Sequence, residues 1–204
     1  MITIVDYGVG NVSAFENVFK RLNIPVKAAK TANELLNAKK LILPGVGSFD
    51  HAMNQLNESG MRTQLDELVL QNNVPVIGIC VGMQMMGNRS EEGKLDGLKW
   101  IDSDILKFDS NLIRHRTKLP HMGWNNVDYA ENHPLFQGLE KNALFYFLHS
   151  YYFGCRNDEL TIASTYYGNS FSSAVQQNNI FGIQFHPEKS HENGEKLLHN
   201  FAKL

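Results

Sequence analysis

Cysteine is scarce in this 204-residue chain: there are two, Cys80 and Cys155, and no Cys-x-x-Cys pair. That excludes a disulfide framework and offers no ligand set for a structural metal, so both read as reduced thiols. No apolar run approaches the roughly 18–20 residues that a membrane-spanning helix needs. The opening Met1–Asp6 reads as a buried strand. It lacks the basic start and long apolar stretch of a signal peptide, which predicts a cytoplasmic protein. Nor is one sign of charge in excess, since 19 basic residues oppose 21 acidic ones for a net charge of -2. Nothing in that balance attracts nucleic acid or a membrane surface. Repeats, low-complexity tracts and linkers are also lacking, so one domain over residues 1–204 is expected, long enough to bury a sizeable core.

What is present is a rhythm. Apolar runs at Ile2–Val5, after Pro25, at Leu41–Leu43 and at Val74–Ile79 alternate with helical patterns. Phe15, Val18, Phe19 and Leu22 share one helical face, with Ser13 or Asn11 as a cap. Ala32–Ala38 reads as a short helix, and Met53–Leu70 as a longer one broken at Gly60. This alternation predicts βαβ units and a mostly parallel sheet. Beyond Gly97 strands dominate: Trp100–Phe108, Asn125–Tyr129, Leu144–Leu148, Leu160–Thr165, Phe171–Gln176 and Phe181–Phe185. A last helix is expected over Glu192–Leu204. Gly8–Asn11 has the spacing of a phosphate loop, but Gly-x-Gly alone is weak, and the segment reads as a strand–helix turn. No cofactor or metal is expected.

The most informative stretch is Val74–Gln84, a strand followed by Gly78-Ile79-Cys80-Val81-Gly82 and then a helix. This is the cysteine counterpart of the nucleophile elbow. A sharp turn holds the nucleophile in a strained backbone, and Gly78 and Gly82 keep Cβ atoms away from it. Helix amides aimed at the sulfur favour the thiolate and can also bind an oxyanion. A lone cysteine at a strand end is more often a buried structural thiol. The two glycines reverse that preference.

Downstream, Phe181–Phe185 delivers His186 at a strand end, with Pro187 fixing the turn to Glu188. Parallel strands end on one edge of a sheet, where such folds place their ligands. Cys80 and His186 can therefore meet there, with Glu188 orienting the imidazole as its base-supporting carboxylate. Of the eight histidines, His51, His115, His133, His191 and His199 carry no comparable pattern.

Taken together, Gly78–Gln84 and His186–Glu188 resemble the class I, or triad, glutamine amidotransferases, in chain order and over essentially the whole length. The resemblance implies a flavodoxin-like, doubly wound α/β sheet with an added antiparallel portion. Asp6–Asn11, Leu43–Phe49, Ser90–Gly93, Pro120–Asn125, Phe145–Tyr152 and His186–Ser190 are similar to the branch formed by the glutaminase subunits of imidazole glycerol phosphate synthases. Gly97–Trp100 and Lys189–His191 instead resemble a paralogous group that supplies ammonia for surface-sugar amidation. Both readings stay open at this level. A stand-alone thiol hydrolase such as a peptidase would leave Pro120–Asn125 and Phe145–Tyr152 without a purpose, and an intact triad argues against a non-catalytic regulatory subunit.

The resemblance carries roles onto particular positions. Cys80, His186 and Glu188 would form the triad. Val81, Val46 and Gly47 would supply the oxyanion hole, and Gly47, Gln84, His149, Ser150 and Tyr151 would bind L-glutamine. Asn11, Trp124, Asn125, Tyr146 and Lys189 would meet a (β/α)8-barrel synthase, or cyclase, subunit in a heterodimer. Free ammonia is mostly protonated near neutral pH, so useful transfer to an acceptor demands a water-excluding passage, which is a chemical reason for a partner.

Overall fold

The computed structural model describes all residues, Met1–Leu204. Four short apolar runs form parallel strands: β1 (Ile2–Val5), β2 (Val26–Ala29), β3 (Leu41–Gly45) and β4 (Val76–Cys80). Every residue of β1, β3 and β4 is buried, the mark of a strand covered on both faces. Between and after them lie α1 (Val12–Arg21), α2 (Ala32–Leu35), α3 (Phe49–Glu58), α4 (Arg62–Asp66) and α5 (Val81–Met85). Helix α1 buries Phe15, Val18 and Phe19, the spacing that puts three side chains on one face. Gly60, at φ +72°, breaks the expected long helix into α3 and α4, and α4 runs on into a π-turn over Glu67–Gln71. Asn11 stands at the head of α1 but makes no side-chain capping bond.

The remaining strands are β5 (Ser103–Lys107), β6 (His121–Asn126), β7 (Asp128–Tyr129), β8 (Leu144–His149), β9 (Tyr151–Cys155), β10 (Thr161–Tyr167), β11 (Asn169–Gln177) and β12 (Ile180–Ile183), before helix α6 (His191–Lys203). The sheet runs β2-β1-β3-β4-β12-β11-β10-β7, with β9 on β11 and β5 on β9. Strands β2 through β12 in that order are parallel, and the rest are antiparallel. This is the doubly wound α/β sheet with an antiparallel extension. One core of 55 buried residues runs through it.

The structure departs from expectation in four places. Trp100 and Ile101 are buried outside any strand, their amides donating to the Met86 carbonyl. The expected strand over 125–129 is two strands, β6 and β7, in different sheets. Tyr151–Cys155 is a strand of its own. Leu204 lies beyond the last helix and is exposed. Strands β6 and β8 form a separate two-stranded ribbon paired from His121–His149 to Asn126–Leu144.

Candidate active site

Sheet order explains how residues far apart in sequence meet. Strand β4 lies between β3 and β12, with Gly45 opposite Cys80 on one side and Ile183 opposite Ile79 on the other. The Gly45–Gly47 loop, Cys80 and His186 therefore leave three adjacent strand ends. Cys80 sits at φ 55°, ψ -112°, a conformation that costs a non-glycine residue about 1–3 kcal/mol and points to a functional constraint. Helix α5 has only five residues, so it offers local N–H groups rather than a long dipole.

His186 is fixed from several directions. Its Nδ1 is 2.8 Å from Glu188 Oε1, and that carboxylate is 2% exposed. Its backbone N–H donates to the Tyr146 carbonyl at 2.8 Å, while Ser190 Oγ donates to the His186 carbonyl and accepts from the Tyr146 N–H. His186 is thus tied through β8 to the ribbon. Burial by itself would lower the pKa of this imidazole, but Cys80 and Glu188 beside it lift it to about 10. That upward push favours an imidazolium facing sulfur, the charge state that can protonate a leaving amine.

A cleft of about 520 Å³ opens over the sulfur, lined among others by Val46, Gly47, Val81, Gln84, His149, Ser150, Tyr151 and Lys189. Its size suits a small ligand. All expected triad, oxyanion and substrate positions thus converge here, with Glu188 behind His186.

A family model described as glutamine amidotransferase class-I matches residues 3–204. The chain belongs to the class I glutamine amidotransferases. It is 54% identical, over 100% of both chains, to the imidazole glycerol phosphate synthase subunit HisH of Bdellovibrio bacteriovorus. Identity to the HisH subunit of Leptospira interrogans is 50%, again over 100% of both. Among solved structures, one described as a glutamine amidotransferase covers 100% of this chain and 99% of its own, with TM-score 0.75 and 18% identity. A chain of PurLQS from Thermotoga maritima gives TM-score 0.74 at 14% identity, covering 99% of this chain and 97% of its own. These two likenesses show the shared fold.

The expected partner-facing residues of this amidotransferase do not all face one way. Trp124 and Tyr146 are cross-strand neighbours on the outer face of the ribbon, and the Lys189 ammonium lies 5.6 Å from the Tyr146 ring centroid. Asn125 turns inward instead, donating to the Tyr166 carbonyl at 3.0 Å. Asn11 is exposed at the start of α1.

Sequence reasoning missed Gln184 and His121. Gln184 is fully buried, and its Nε2 approaches Cys80 Sγ at 3.7 Å while its Oε1 accepts from Gln84. The signal was a polar residue inside an otherwise apolar strand run. His121 is buried with its Nδ1 3.0 Å from His149 Nε2. No periodicity marks it, because its partner is 28 residues away.

Burial, with His115 nearby, lowers the His121 pKa to about 4. Burial, with His121 and His186 nearby, lowers that of His149 to about 3, against a smaller opposing effect of the Tyr151 carbonyl. Both folded values lie below the ordinary 6.5, so the unfolded chain binds more protons as pH falls. Their contribution to stability is full above about pH 6.5 and is lost as pH falls toward 4 and 3. Each histidine costs up to about 1.4 kcal/mol per pH unit, so unfolding free energy is expected to drop about 3 kcal/mol between pH 6.5 and 5, above the range where carboxylates titrate. Urea midpoints across that range measure it, and a flat profile would show that the pair is not held neutral.

Proposed function

We propose that the chain hydrolyses L-glutamine to glutamate and ammonia and delivers the ammonia to the synthase subunit of imidazole glycerol phosphate synthase, as the glutaminase half of a cytoplasmic heterodimer in histidine biosynthesis. The observation that carries the reading is the convergence of Cys80 and His186 in one cleft with the substrate-type positions, Glu188 bonded behind His186, in a chain half or more identical to two HisH subunits along its whole length.

The chemistry follows from the groups present. Cys80 thiolate attacks the side-chain amide carbon, forming the C–S bond. The resulting oxyanion accepts from the Val81 N–H and from the loop amides of Val46 and Gly47. His186, held by Glu188, passes its proton to nitrogen as the C–N bond breaks, releasing ammonia and leaving a thioester. His186, now neutral, takes a proton from water as it attacks the thioester, and glutamate departs with Cys80 restored.

The ribbon supports the partner half of the reading. Met122, Trp124, Leu144 and Leu148 are exposed and apolar on its outer face, a grouping typical of an interaction surface. The HisH name of the relatives favours a histidine-pathway acceptor over a sugar-amidating one.

Co-expression with a synthase subunit tests the proposal. Copurification and glutamine-dependent formation of imidazole glycerol phosphate are expected, together with growth of a histidine auxotroph lacking this subunit. A complex in which ammonia supports synthesis but glutamine does not would overturn the reading. Active glutaminase without complementation would favour the sugar-amidating acceptor.

A further inference from the structure

Five side chains and one carbonyl form an unbroken polar chain from the ribbon to the nucleophile. Asn125 Nδ2 is 3.2 Å from His121 Nε2, and His121 Nδ1 is 3.0 Å from His149 Nε2. His149 Nδ1 is 2.8 Å from the Tyr151 carbonyl. Gln84 Nε2 donates to that same carbonyl and to Gln184 Oε1, each at 3.0 Å, and Gln184 Nε2 reaches Cys80 Sγ at 3.7 Å.

The donors of the chain are fixed, and they converge on the Tyr151 carbonyl from His149 on one side and Gln84 on the other. A carbonyl accepts and cannot donate, so His149 must carry its proton on Nδ1. In a neutral ring Nε2 is then an acceptor, so His121 must donate from its own Nδ1. His121 Nε2 is left as an acceptor for the Asn125 amide. The orientation of that amide is itself settled, because its Oδ1 accepts from the Asn126 N–H at 2.8 Å and its Nδ2 donates to Tyr166. Gln84 in turn spends both amide protons inside the protein. The atom it presents to the cleft is Oε1, an acceptor fitted to a substrate ammonium or amide N–H.

We propose that His121 is a positioning residue for glutamine: acting through His149, it fixes the His149 N–H on the Tyr151 carbonyl and so holds that carbonyl, and the Gln84 amide bonded to it, where the substrate needs them. The inference rests on the glutaminase reading for its kinetic consequence, while the proton positions stand independently of it. His121 suits the task because its ring is stacked between Tyr167 at 4.0 Å and Phe147 at 4.7 Å. The plane is held by packing, and the N–H supplies only direction.

Two measurements test it. Nitrogen NMR of the full chain with labelled histidine should show both rings as neutral Nδ1–H tautomers at pH 7. An Nε2–H form of either ring, or protonation of either near pH 6.5, overturns the proposal. In the complex with the synthase subunit, His121→Phe keeps the stacked ring and removes the donor. Its KM for glutamine should rise about tenfold with kcat within about threefold, the size expected for one lost hydrogen bond. His121→Asn, which can place an amide N–H near Nδ1, should recover most of that loss. A folded His121→Phe with wild-type KM overturns the proposal, as does an equal loss in both variants, which would mean that only packing was disturbed. A wild-type complex without glutamine turnover would instead refute the glutaminase reading, leaving the NMR result to decide the proton positions.

Discussion

Cys80→Ala is expected to lower glutamine hydrolysis by about 10⁵-fold, on the scale seen when the nucleophile of a catalytic triad is removed. The fold should survive. Alanine meets the same backbone strain at φ 55° as cysteine, and the side chain it loses is one buried sulfur that faces His186 and whose contacts to Gln184 and the Leu148 carbonyl are long. Ammonia release above about one per cent of wild type from a folded variant would remove Cys80 from the mechanism, since a triad member carries far more than that.

The same substitution separates the two halves of the thiol–imidazole pair. Cys80 is the foremost influence holding the His186 pKa up against burial. In the wild type the pair should keep its proton until pH nears 10, so kcat/KM should hold on the alkaline side and fall only as pH rises through that value. The sign follows because protonated His186 is the form that supplies the proton to departing ammonia. Without Cys80 the imidazole pKa should drop, which proton NMR of His186 in Cys80→Ala can follow. A wild-type alkaline limb near 6.5 would show that the pair is not coupled.

Gly82→Ala carries the second large effect, and it acts on the fold. A Cβ at position 82 would run into the Leu43 carbonyl and the Pro44 backbone. Both belong to β3, a buried strand hydrogen-bonded to β1 and β4, so neither can give way. Overpacking costs about 1–3 kcal/mol where side chains can adjust; against fixed backbone the cost should reach or exceed the upper figure. For a domain of this length that lowers Tm by about 6–12 °C. Gly60→Ala provides the contrast. Its φ is +72° but no atom lies within 4 Å, so it carries backbone strain without a clash and should cost about 1–2 kcal/mol. Thermal or urea unfolding of the two variants measures the difference. Equal effects would show that α5 and β3 are not packed this closely.

Local chemistry made much of the site legible. The nucleophile turn is written in a few adjacent residues, because a strained elbow tolerates only small neighbours and glycine is the one residue that supplies them. His186-Pro187-Glu188 is equally local, since proline fixes the turn that lets a carboxylate reach back to the preceding imidazole. The parallel half of the sheet was legible too, as buried strands must be continuously apolar. Periodicity failed where strands change sheets. Residues 125–129 alternate as one strand would, and nothing local says that β6 leaves for a ribbon while β7 joins the main sheet.

The sequence by itself singled out Cys80, His186 and Glu188 as the candidate triad, the βαβ half of the fold and the glycines that the elbow requires, because each depends on contacts a few residues long. Only the tertiary structure decided that β4 lies between β3 and β12. That order sets the Gly45–Gly47 loop, the sulfur and the imidazole side by side. Tertiary structure likewise paired β6 with β8 and so joined His121 to His149, and it brought Gln184 to Cys80. Those pairings span from 28 to 104 residues of chain, and a hydrogen bond over such a distance leaves no mark in local pattern. It is set by which strands the core brings together.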